Sequence, residues 1–149
     1  MTTIAYRDGI FAYDSRTMQG SVIVDSHAKK LTIAKGVAFI LCGARSDEER
    51  LIAAYFGEPA GKHVDCSAYV IDQGRIYEIS VDNDTGFWKC PLDLRKHRAC
   101  GSGAPYALTA MDMGADAVTA VRMAILRDSN SGGRINTYQV QAPSGGATR

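Results

Sequence analysis

The chain has 149 residues, 46% of them hydrophobic and 22% charged, with a formal net charge of +1. That length and composition suit one soluble globular domain with a proper core. The charge balance gives no electrostatic case for a nucleic-acid or membrane-surface partner, and no apolar run approaches the ~20 residues of a spanning helix.

Cys42, Cys66, Cys90 and Cys100 show no paired C-x-x-C spacing, and His27, His63 and His97 are scattered. Neither a metal site nor a cofactor is expected from them, and the cysteines read as reduced thiols of a cytoplasmic protein. The first residues lack the basic-then-apolar layout of a signal peptide.

Residues 3–6 form a short strand, Arg7-Asp8-Gly9 a turn, and residues 10–13 the returning strand. Asp14-Ser15-Arg16-Thr17 reads as a polar loop closed by Gly20. Strands follow over 21–24 and 27–31, the latter with Lys29 and Lys30 on opposite faces, so that one lysine points inward. The run Val-Ala-Phe-Ile-Leu-Cys over 37–42 predicts a strand buried on both faces. A helix over 46–56 then opens with Ser46 as its N-cap and early acids.

Residues 57–65 connect to a hairpin of strands 66–71 and 75–81 across Asp72-Gln73-Gly74. Residues 82–85 form a turn, and Phe87 and Trp88 pack against the sheet edge. A further strand enters Gly101-Ser102-Gly103. Pro105 opens a helix to about Met113, and a second helix over 116–126 carries Val118, Val121 and Ile125 on one face. The last strand spans 135–140. A single domain over 1–141 and a flexible tail over 142–149 are expected. The order of elements predicts two packed sheets with helices outside them.

Candidate chemistry starts at Thr2. A threonine hydroxyl needs a base beside it, and loss of Met1 would free an α-amine with a reference pKa of about 7.7–8.0. If the first two strands pair, Asp14 returns close to Thr2, and a lysine would complete a proton-handling site. Gly43, leaving a strand just before a helix, offers a backbone N–H suited to an oxyanion.

Several stretches together resemble the proteasome β-subunits and the related HslV protease. They are Thr2-Thr3-Ile4, Asp14-Ser15-Arg16 with Gly20, Lys29-Lys30-Leu31, Cys42-Gly43-Ala44, Gly101-Ser102-Gly103 with Pro105-Tyr106-Ala107, and Arg127-Asp128 with Ser131-Gly132-Gly133. These fall in the family's order over nearly the whole chain. The resemblance implies an α+β fold, the four-layer αββα sandwich of N-terminal-nucleophile (Ntn) hydrolases, built on two antiparallel sheets. The family carries two long helices after the Gly43-type turn; this chain has room for one short helix, so its helical layer is reduced.

The resemblance also implies roles. Thr2 is the nucleophile, Lys30 the cation that eases its deprotonation, and Asp14 the carboxylate that holds Lys30. Gly43 stabilises the oxyanion, and Ser102, Asp128 and Ser131 order the amine and its proton shuttle. Thr17, Ala28 and Arg45 stand where the family lines its specificity pocket, and Arg45 would favour an acidic or polar P1 side chain. The implied activity is threonine-type peptide hydrolysis through an acyl-enzyme, by a homo-oligomeric ring acting on peptides or unfolded proteins. No G-x-x-x-x-G-K-[ST] motif occurs, so an ATPase unfoldase partner would be a separate chain. Two alternatives are a non-ring small-amide hydrolase and a catalytically silent scaffold or assembly subunit.

Overall fold

The computed structural model describes residues 2–141; Met1 and the expected tail over 142–149 lie outside the described residues. The chain folds as two compact units, Met1–Lys30 with Asp93–Val140, and Leu31–Leu92.

The first unit is a four-stranded antiparallel sheet with two helices on it. Its strands are β1 (Thr3–Arg7), β2 (Ile10–Tyr13), β10 (Arg98–Gly101) and β11 (Asn136–Gln139), in the spatial order β10-β1-β2-β11. The hairpin β1–β2 closes through Asp8 and Gly9, both at positive φ (50° and 82°), the geometry that matches strand twist across a two-residue loop. Helices α2 (Ala104–Asp112) and α3 (Ala117–Arg127) pack on β1, β2 and β10. Asp116 caps α3 by accepting from the Thr119 N–H at 2.8 Å.

The expected face of α3 packs on the core, but its most buried positions are mostly alanines. Ala117, Ala120, Val121 and Ala124 are buried, while Val118 and Ile125 are only partly so. These four recur at i, i+3, i+4 and i+7, and the three alanines let the helix backbone approach the sheet through Ala5 and Ala12.

A two-stranded ribbon, β3 (Thr17–Gln19) with β4 (Val22–Asp25), also belongs to this unit. Residue 17, expected in a loop, therefore starts a strand. The strand expected over 27–31 does not form. Asp25 Oδ1 accepts the His27 N–H at 2.8 Å, a local turn that ends the ribbon. Ladder pairing resumes only with β5 (Leu31–Ala34), whose register is set by the turn at Lys35 and Gly36. The inward–outward split of the lysines does hold, with Lys29 exposed and Lys30 buried.

The second unit is an antiparallel meander of five strands in sequence order: β5, β6 (Val37–Gly43), β7 (Cys66–Asp72), β8 (Arg75–Asp82) and β9 (Gly86–Pro91). As the apolar run predicted, residues 37–42 are buried throughout. Phe87 and Trp88 lie within β9, the edge strand itself, because the 82–85 turn returns the chain into register with β8. A 3₁₀ turn, Arg45–Asp47, precedes α1 (Glu48–Tyr55). Ser46 is therefore not the cap; Asp47 holds that place without a side-chain cap bond. Its carboxylate is drawn instead to the Asp65 N–H at 2.9 Å and to Arg50 at 3.3 Å. The unit's core is made of Val37, Phe39, Leu41, Leu51, Val70 and Ile79 with their neighbours. Among the described residues no helix is long and apolar enough to cross a membrane.

Candidate active site

β1 lies between β10 and β2, so its first residues are flanked on both sides. Thr3 pairs with Gly101 on one side, and Ile4 pairs with Tyr13 on the other. One step beyond Tyr13, the Asp14 N–H donates to the Thr3 carbonyl at 3.2 Å, and the Asp14 carboxylate turns back onto the Thr3 N–H at 3.0 Å. Asp14 was expected close to Thr2; the bonds it makes here are to Thr3, the residue after Thr2.

Asp14 is fully buried, and its two oxygens accept four donors: Thr3 N–H and Lys30 Nζ (2.8 Å) on Oδ1, Gly132 N–H (2.9 Å) and Arg16 N–H (3.3 Å) on Oδ2. Lys30 is 4% exposed. A buried ion pair is stable only when its remaining hydrogen-bonding capacity is met, and this carboxylate meets it.

A second carboxylate stands just past the end of α3. Asp128 Oδ2 accepts from Ser102 and Ser131, each at 2.6 Å, and Oδ1 accepts the Asn130 N–H at 3.1 Å. Burial pushes this acid up, but the hydroxyls of Ser102 and Ser131 and the Asn130 N–H outweigh it and hold the carboxyl below its ordinary value of 3.8. Ser102 Oγ and the Gly103 N–H both lie 3.4 Å from the Thr2 carbonyl oxygen. Thr2 itself is 3% exposed.

Several residues at this site had no role in the sequence reading. Thr3 Oγ1 lies 2.7 Å from Ser131 Oγ. Ser15 Oγ lies within hydrogen-bond reach of two carbonyl oxygens, Arg134 O at 2.6 Å and Ser26 O at 3.0 Å, and has one proton to give them; the Ser15 N–H donates to Gly132 O at 3.0 Å. Arg16 Nη1 donates to Ser129 O at 3.2 Å, and its guanidinium lies against Gly132, where any Cβ would overlap it. Asp14, Ser15 and Arg16 thereby hold the whole 128–134 loop. The only signal for Ser15 and Arg16 was their place in the motif around Asp14; Thr3 had no signal beyond its place after Thr2.

Of the expected pocket residues, Thr17 begins β3 and is half-buried, and Ala28 is buried with its N–H on Ser15 O at 2.9 Å. A cleft of about 520 Å³ in this unit is lined by Arg16, Met18, Ile23, Ser129 and Asn130 among others. Gly43 and Arg45 belong to the second unit. Gly43 has φ 121°, and a Cβ there would fall 2.5 Å from Asp65 O and 2.9 Å from Cys66 Cα. Close approach of β7 therefore demands glycine at 43 whatever its N–H does. Arg45 is exposed in the 3₁₀ turn. Among the described residues no cluster of His, Cys, Asp and Glu could hold a metal, and all four cysteines are free thiols.

No family model matches the chain, and no curated protein matches it. Solved structures do. A eukaryotic HslV from Trypanosoma brucei superposes with a TM-score of 0.68 at 18% identity, over 92% of this chain and 97% of that one. The chain has the HslV-like Ntn-hydrolase fold. The Thiobacillus denitrificans protein BPH is similar to the same degree: TM-score 0.65 at 18% identity, over 94% of this chain and 98% of that one. Its complex with epoxomicin superposes with a TM-score of 0.66 at 17% identity, with the same coverage. All three matches span nearly the full length of chain and neighbour, so the HslV-like fold is present here with a single short helix, α1, between β6 and β7.

Proposed function

We propose that this protein is a threonine peptidase of the proteasome and HslV kind, acting through Thr2 once Met1 is removed. The observation that carries the reading is the buried Asp14–Lys30 pair at 2.8 Å, with Asp14 also on the N–H of Thr3, the residue that follows Thr2. A fully buried lysine–carboxylate pair is a poor way to gain stability. Beside an N-terminal threonine it has a chemical use.

In this mechanism the Thr2 Oγ attacks the scissile carbonyl, and its proton passes to the Thr2 α-amine. The Lys30 ammonium stabilises the developing alkoxide and Asp14 keeps it charged and in place. Gly43 donates its N–H to the oxyanion. The amine then protonates the leaving nitrogen, giving an acyl ester on Thr2, which water hydrolyses by the reverse proton path. Ser102, Asp128 and Ser131 orient the amine and relay its proton. Thr17, Ala28 and Arg45 line the P1 pocket, where Arg45 favours an acidic or polar side chain. The working form is a homo-oligomeric ring that accepts peptides or unfolded protein, with any ATPase unfoldase on a separate chain.

The test starts from intact mass and N-terminal sequencing of the purified protein, followed by hydrolysis of a fluorogenic peptide. A chain beginning at Thr2 should turn over the peptide, with kcat/KM rising as the amine deprotonates near pH 7.7–8.0, about the reference value. Thr2→Ala should lower turnover by about 10³-fold or more. Epoxomicin, bound by the T. denitrificans protein, should inhibit it. A Thr2-initiated protein without turnover, or one whose activity survives in Thr2→Ala, would sink the reading. Unchanged P1 preference in Arg45→Ala would remove the pocket assignment alone.

A further inference from the structure

Thr3 stands where the two carboxylate networks meet. Its backbone N–H is on Asp14 Oδ1 at 3.0 Å, and its hydroxyl is 2.7 Å from Ser131 Oγ. The residue is fully buried, so water cannot replace either partner. The backbone joins the networks a second time through the Gly132 N–H on Asp14 Oδ2.

The direction of the hydroxyl bond follows from counting protons. An ionised carboxylate only accepts, and both Ser102 and Ser131 lie 2.6 Å from Asp128 Oδ2. Each serine hydroxyl has a single proton. That of Ser131 is committed to Asp128, so its contact with Thr3 must be a donation from Thr3 Oγ1 to Ser131 Oγ. The result is a directed chain, Thr3 to Ser131 to Asp128, in which each bond polarises the next.

The space for this hydroxyl is specifically kept. A Cβ on Gly103 would overlap Thr3 Oγ1, stand 3.0 Å from Thr3 Cβ and 3.1 Å from Ala124 Cβ. Threonine is also stiff at χ1, which holds the oxygen on Ser131 without loss of further freedom.

We propose that Thr3 is a positioning residue, separate from the nucleophile, whose hydroxyl orients Ser131 and, through it, Asp128 beside the N-terminal residue. This rests on the peptidase reading for its kinetic consequence, though not for its structural one. Thr3 does not touch substrate; it acts through Ser131.

The experiment compares the full-length wild type with Thr3→Ala, Thr3→Ser and Ser131→Ala. Two readouts are taken: kcat and KM for the fluorogenic peptide across pH, and urea unfolding across the acid range. Thr3→Ala should lower kcat about tenfold with KM little changed, the signature of a lost orienting hydrogen bond. Its loss of stability relative to wild type should be largest above the ordinary carboxyl value of 3.8 and shrink as pH falls below it, because Asp128 is left less well supported. Thr3→Ser should restore both, and Ser131→Ala should reproduce this pH-dependent loss should Thr3→Ala fail to fold. A Thr3→Ala protein that loses stability equally at every pH, or a Thr3→Ser protein that restores nothing, overturns the proposal. A wild type that turns over no peptide defeats the peptidase reading instead, while the acid-unfolding comparison still decides Thr3.

Discussion

The two units bury different things. In the Leu31–Leu92 unit the interior is made of large side chains, with Phe39, Leu41, Leu51, Val70 and Ile79 all between 0% and 3% exposed. In the other unit the helix–sheet core is mostly alanine: Ala5, Ala12, Ala107, Ala117, Ala120 and Ala124, with Met111 and Val121. That unit also holds every buried polar or charged side chain among the described residues, namely Thr2, Thr3, Asp14, Ser15, Lys30, Asp128 and Ser131. Apolar burial of a large side chain contributes about 1.5–3 kcal/mol, and an alanine far less. The helix–sheet layer of the first unit thus buries little apolar volume, although Ile4 and Phe11 are fully buried elsewhere in that unit, and the unit adds a polar interior that is useful only if each group keeps its partner.

The comparison is most sharply tested where a single atom group has most partners. Asp14→Ala strands the buried Lys30 charge and the Thr3 and Gly132 N–H groups, so it should cost about 3–5 kcal/mol in urea unfolding and abolish peptide turnover. Phe39→Ala removes a fully buried ring that meets Tyr55 and Phe56 edge-on at 5.3 and 6.0 Å. It should also lose about 3–5 kcal/mol, here by leaving a cavity. If Asp14→Ala were mild, the first unit would rest on its small apolar core after all.

A smaller effect is expected from Ala120→Leu. Ala120 is fully buried in the face of α3, and the extra volume should destabilise by about 1–3 kcal/mol through overpacking. Thermal melts would show it, and an unchanged melting temperature would mean that the helix has room to move away.

The pH dependence has a definite sign. The folded Asp128 carboxyl sits below its ordinary 3.8, so in the unfolded chain it binds a proton at higher pH than in the folded one. Its contribution is complete above that unfolded value and disappears as pH falls through the lower folded one. Asp128→Asn should flatten this part of the acid limb in a pH series of unfolding curves; an unaltered limb would mean the acid denaturation is driven elsewhere.

The gentlest probe is thiol alkylation of the native protein. Cys90 is exposed on β9 and should react with iodoacetamide, whereas Cys66 is buried and its thiol is pushed up to about 12, chiefly by burial. Rapid labelling of Cys66 would show that β7 opens readily.

Much of this was legible beforehand. The Asp8-Gly9 turn, the apolar run over 37–42, the hairpin across Gln73-Gly74 and both later helices follow from local rules of turn chemistry and periodicity, which act over a few residues. The position of Asp14 followed too, because a two-residue hairpin returns it opposite the start of β1. What local rules could not supply lies across long sequence distances. Thr3 meets Ser131 and Asp14 meets Gly132 only when β1, β2 and the loop after α3 are assembled. The alanines of the α3 face were passed over for the same reason: periodicity counts large apolar residues, while the sheet it packs on selects alanines that allow close approach. Lys30 rather than Lys29 is buried because the Asp14 carboxylate waits on that side. The sequence by itself determined most of the elements and their turns, though not strand β3 or the irregular stretch before Lys30. Only the tertiary structure decided which residues share one hydrogen-bonded network, since that depends on burial and on partners more than a hundred residues away.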